Sequence, residues 1–168
     1  MSNPKISLIA DMLANARKET LQMASNVAPE HRLFQLRAGK ATPLWLLGHL
    51  ANTANTVILR WTLGQESRMT REQSLVFAPD FAKGTPPSSD PSLYPAWEEV
   101  VSLYDTLMGH AIDGVRELND EDLELPLKGN VPEQLRGFFT TNVATLTRII
   151  SHDAYHRGQM GLLSKIAG

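Results

Sequence analysis

Histidine is scarce in this chain, with five copies, and two of them, His152 and His156, stand four residues apart in a proline-free stretch. On a helix, residues spaced i, i+4 project from one face about one turn apart. Two imidazoles placed this way can converge on one ion, and two leave its coordination incomplete. A third ligand from another helix is therefore expected. His49 is the natural candidate: it sits among apolar neighbours in Trp45-Leu46-Leu47-Gly48-His49-Leu50, where Gly48 would permit close approach of another helix. The chain has no cysteine, which removes thiolate sites, disulfides and cysteine nucleophiles together. Any metal must then be held by nitrogen and oxygen.

Polar residues follow the candidate ligands at helical intervals. Asn52, Thr53 and Thr56 lie on the His49 side of its helix; Thr145 precedes His152 by two turns, and Gln159 follows His156 by one. Such residues either line a wet pocket in the interior or form a surface stripe, because buried polar groups without partners are costly. Asp153 and Arg157 are also i, i+4, and a helix-surface ion pair is the expected role for both. Trp45 and Tyr155 are read as packing residues. His31 and His110 have no partner at ligand spacing.

Four helical segments must carry these residues. Asn3 before Pro4 reads as an N-cap with proline at the first helical position, and Ile6, Ile9, Leu13, Ala16 and Thr20 then recur at helical spacing until Pro29. Thr42 before Pro43 repeats the signal and opens a helix expected to run to Gly64. A third helix starts at Asp90-Pro91, or at Pro95, and runs to about Leu118. The fourth is expected from about Gly137 to Ile166. The connectors 29–41, 65–89 and 119–136 are of unequal length, and two of them are long. Leu123 to Leu127 could make a short extended piece; otherwise no strand pattern appears. The reading is all-α: a four-helix bundle with long crossover connections, formed by one domain over residues 1–168.

Composition bounds the partners. Lys+Arg 16 against Asp+Glu 18 gives a formal net charge of -2, without the basic surplus that phosphate binding demands. Nucleic acid is not expected. Apolar runs such as Leu44 to Leu47 are too short to cross a membrane, and Met1 to Thr20 lacks the uninterrupted apolar region of a signal peptide. The expected location is the cytoplasm, without membrane attachment.

The string His152-Asp-Ala-Tyr-His156-Arg157-Gly158-Gln159 resembles the C-terminal helix signature of the DinB-like superfamily, and Leu46-Leu47-Gly48-His49-Leu50 resembles its second-helix signature. The layout is similar over essentially the whole chain. The resemblance implies a four-helix bundle that binds one divalent metal through three histidines, here His49, His152 and His156. It further implies a homodimer and an activity of the family's type. The family includes metal-dependent transferases that join low-molecular-weight thiols to electrophiles, and a mycothiol-dependent maleylpyruvate isomerase. Nickel and zinc are the expected ions, with iron and manganese as alternatives. A thiol S-transferase acting on a small-molecule thiol is the leading functional expectation. A hydrolase that activates metal-bound water and a non-enzymatic metal-binding stress-response module are the alternatives. Other metal motifs are missing: no glutamate has a histidine three residues later, as di-iron bundles need, and the His-Glu-x-x-His string is absent.

Overall fold

The computed structural model describes residues 3–168, the side chain of Phe81 excepted. It is an all-α bundle of four long helices with a short fifth packed on its side. The long ones are α1 (Pro4–Ser25), α2 (Pro43–Thr53, continued as a π-helical stretch Ala54–Thr62), α4 (Trp97–Arg116) and α5 (Asn142–Ala167); the short one is α3 (Arg71–Val76). Each long helix packs mainly on two others. α1 and α2 both lie against α4 and α5, so α1 sits diagonally across from α2, and α4 from α5.

Pairwise contacts fix the directions. Asp11 meets Arg116 and Arg17 meets Asp105, so α1 and α4 are antiparallel. Thr20 meets Asp153, and an added Cβ on Gly161 would touch Met23, so α1 and α5 are parallel. Trp61 packs on Phe139 while His49 reaches His152, which makes α2 and α5 antiparallel. The order is up, down, down, up. The parallel pair α2 and α4 needs a long return connection, which the sequence supplies between Leu63 and Ala96. The core is apolar and closed, with Leu13, Leu47, Ile58, Leu59, Tyr104, Leu146 and Met160 each fully or almost fully buried.

The helix ends depart from the sequence reading in instructive ways. Thr42 caps α2 as expected, its Oγ1 accepting from Trp45 N at 3.0 Å. Asn3 does not cap α1. The Asp120 carboxylate instead accepts from Lys5 N and Ile6 N at 3.3 and 2.9 Å, a cap supplied by the α4–α5 connector. Asp90 does accept from Ser92 N at 2.9 Å, but it caps only a 3-10 turn, Pro91–Leu93, and α4 begins at Trp97. α5 starts at Asn142 rather than near Gly137, because Thr141 takes the cap position and accepts from Ala144 N. The extended piece expected over Leu123 to Leu127 is reduced to one bridge between Pro126 and Thr141; Leu123 lies in a 3-10 turn with its side chain in the core. Among the described residues, no helix is long and apolar enough to cross a membrane.

Among the described residues, the α-helix absent from the sequence reading is α3, inside the 65–89 connector. Its start was written in the chain as Thr70-Arg-Glu-Gln73, a capping box. Thr70 Oγ1 accepts from Gln73 N at 3.2 Å and Gln73 Oε1 accepts from Thr70 N at 2.9 Å.

Candidate metal centre

α2 and α5 bring His49, His152 and His156 together. The ligating nitrogens lie within 4.8 Å of one another, and among the described residues this is the one such group of three or more His, Cys, Asp or Glu side chains. His152 Nε2 is 3.3 Å from His49 Nε2 and 3.1 Å from His156 Nε2. His156 stands edge to face with both other rings, its centroid 4.4 Å from that of His152, while His49 and His152 are tilted at 58°. His31 and His110 are not part of the group, as their spacing implied.

The far side of each ring decides what the near side offers. His49 Nδ1 lies 3.0 Å from the Phe77 carbonyl oxygen. A carbonyl only accepts, so Nδ1 carries the proton and Nε2 of the neutral ring holds a lone pair. His156 Nδ1 lies 2.7 Å from Gln159 Oε1, whose amide Nε2 donates onward to Tyr155 Oη at 3.1 Å. That chain gives His156 the same tautomer. His152 Nδ1 is buried without a hydrogen-bond partner, so its ring is held by its two imidazole neighbours instead. Trp45 stacks on His49 with 4.9 Å between centroids and 7° between planes; it packs, as read from the sequence, and also fixes the ring's plane.

Burial keeps all three rings neutral. Desolvation pushes His49 down to about 4, outweighing the Phe77 carbonyl, with the neighbouring His156 adding to the fall. It pushes His152 down to about 3, helped by His156 and then His49. His156 is lowered by burial, against the Gln159 hydrogen bond. Burial disfavours a second proton on any ring, but neutral His152, whose Nδ1 has no partner, can carry its one N–H on Nε2 and donate it to a neighbouring Nε2 at 3.1 or 3.3 Å; a cation bound there would need that proton on Nδ1 instead. Those two separations also fit a cation, because nitrogens bonded at about 2.0–2.1 Å to a tetrahedral ion stand about 3.3 Å apart.

A sequence comparison agrees with this arrangement, since the model of the DinB superfamily matches residues 12–160. The chain belongs to the DinB superfamily. No curated protein matches it significantly. The match covers His49, His152 and His156, the three histidines that the fold brings together.

Other residues of this DinB-superfamily chain take roles the sequence did not show. Asp153 is not on the surface. It is 3% exposed and turns away from the histidines, where it accepts from Thr20 Oγ1 at 2.6 Å, Tyr104 Oη at 2.7 Å and Arg157 Nη1 at 3.2 Å. The i, i+4 pair with Arg157 exists, but its acid is interior, because Tyr104 and Thr20 approach from α4 and α1. Burial raises the Asp153 carboxyl, and the three donors oppose that rise. Arg157 also reaches Glu19 at 2.7 Å. Tyr155 is 63% exposed and stands edge-on to His156, so it is a rim residue rather than a packing one. Asn52 is buried, donates to the Ser74 carbonyl at 3.3 Å and accepts from Thr56 at 3.3 Å. It braces the connector instead of lining an open approach. Thr145 is fully buried, and its hydroxyl has no partner. Thr53 and Thr56 are half-buried.

Proposed function

We propose that His49, His152 and His156 bind one divalent metal ion, nickel or zinc first, and that the chain is a metal-dependent enzyme of the thiol S-transferase type. The observation that carries the reading is the convergence of three Nε2 atoms, two of them committed as lone pairs by partners on Nδ1. Three neutral imidazoles leave a divalent ion its full charge and an open position, which supplies Lewis acidity toward an anion such as a thiolate. The chain's own residues supply the rest. His49 and His156 are oriented by Phe77 and Gln159, and Tyr155 marks the exposed rim where a small molecule enters. Because the chain has no cysteine, the thiol arrives as substrate.

Elemental analysis of the purified protein, combined with a panel of thiols and electrophiles, tests this. A transferase consumes free thiol only when an electrophile is present; a hydrolase needs no thiol, and a simple binder turns over neither. His49→Ala, His152→Ala and His156→Ala should each lose bound metal sharply, while His31→Ala and His110→Ala keep it. Full metal occupancy in His49→Ala would overturn the three-ligand site.

A further inference from the structure

Three side chains on successive turns of α2 donate to backbone carbonyls at the end of α3. Trp45 Nε1 reaches Val76 O at 3.1 Å, His49 Nδ1 reaches Phe77 O at 3.0 Å, and Asn52 Nδ2 reaches Ser74 O at 3.3 Å. The last carbonyls of a helix have no partner within it, and here α2 satisfies them. Leu75 O is taken by Ala78 N and Thr85 N. Each carbonyl from Ser74 to Phe77 therefore has a partner, and His49 is one of the groups that supply them.

Phe77 itself is anchored by its ring. The ring is fully buried and rests on the bare Cα of Gly48: a Cβ there would fall 2.2 Å from both Cδ1 and Cε1. On its other side the ring faces Tyr94, 5.9 Å away between centroids and 21° from parallel. Ring and carbonyl belong to one residue. Whatever seats the ring also aims the oxygen.

We infer that Phe77, seated on Gly48, is a positioning residue for the site: its carbonyl selects the His49 tautomer that presents Nε2 to the other two histidines. The inference rests on the metal-binding reading for its consequence, but not for its geometry. The glycine before His49 is thus required because the neighbouring ring occupies the place of a side chain. Outer hydrogen bonds of this kind fix the tautomer of ligating histidines, and removing one typically costs about 10–100-fold in metal affinity.

The test uses the full chain with Gly48→Ala, Phe77→Ala and the milder Phe77→Leu, each confirmed as helical and cooperatively melting. Ring nitrogen-15 spectra of the metal-free proteins report the His49 tautomer, and competition with a chromophoric chelator reports zinc affinity. Wild type should show His49 protonated on Nδ1. The folded variants should show a mixture with Nε2–H and a zinc affinity lower by about 10–100-fold. A wild-type His49 found as Nε2–H overturns the inference even if no variant folds. So does a folded variant that keeps the wild-type tautomer, or one that binds zinc as tightly as wild type. A wild type with the expected tautomer that binds no zinc would instead remove the metal reading and leave the positioning intact. A merely structural role for Phe77 would lower the melting temperature without moving the tautomer.

Discussion

Acidification should destabilise the metal-free bundle through His49 in particular. In the unfolded chain this histidine takes up a proton near its ordinary value of 6.5, whereas in the folded chain burial holds it down to about 4. Between these values the unfolded state binds the additional proton, so stability rises with pH. The contribution is fully present above 6.5 and is lost as pH falls toward 4. One proton gives about 1.36 kcal/mol per pH unit, so going from pH 6.5 to 4.5 should remove about 2–3 kcal/mol through this side chain. Urea melts of chelator-treated wild type and His49→Leu at both pH values isolate the effect. His152 and His156 titrate in both proteins, as does Asp153, whose raised carboxyl pulls in the opposite sense. The wild type should lose about 2–3 kcal/mol more than the variant over this interval. Equal losses, or a His49 ring that titrates near its ordinary value in the folded protein, would refute the claim that burial keeps the site neutral.

Chelation at neutral pH should lower the melting temperature while leaving the helical circular-dichroism signal, because the apolar core does not depend on the three histidines. An ion at a hundredfold excess over Kd contributes about 2.7 kcal/mol, and complete unfolding on chelation would contradict this account. Tyr104→Phe leaves one oxygen of buried Asp153 without its 2.7 Å partner and should cost about 1–3 kcal/mol in urea unfolding; a variant as stable as wild type would show that the bond contributes nothing. Gly129→Ala should destabilise by a similar or larger amount, since its Cβ would lie 2.4 Å from Arg60 O, and an unchanged melting temperature would mean that the loop relaxes freely. Thr70→Ala removes the cap of α3 and should cost about 1 kcal/mol, seen first as faster amide exchange over residues 71–77.

Much of the bundle was legible because its signals are local. Thr42 and Pro43 at the start of α2, the i, i+4 histidines of α5 and the proline-rich connectors all state their roles within a few residues. What escaped was decided by partners distant in the chain. Asp153 looks like half of a surface pair until Thr20 and Tyr104 approach from other helices. Asn3 looks like a cap until Asp120 supplies the carboxylate instead. The three histidines were legible as one cluster, yet its bracing was not, since the Phe77 carbonyl is backbone and carries no residue signature. α3 is the exception: its Thr70–Gln73 box is a local signal, obscured by the prolines and glycine that follow it. The π-helical run Ala54–Thr62 has no sequence mark at all, for Val57, Ile58 and Leu59 suit either winding.

One helix serves two masters in this fold. On α5, His152 faces α2 while the adjacent Asp153 is gripped by α1 and α4 through oxygens 2.6–2.7 Å from their donors. Turning α5 to move His152 away from α2 would also stretch the Asp153 bonds to both hydroxyls, so the spacing of the imidazoles is tied to the contacts with α1 and α4. A cation bound there would meet three imidazole nitrogens, a donor set that suits first-row divalent ions and not calcium, which takes oxygen ligands.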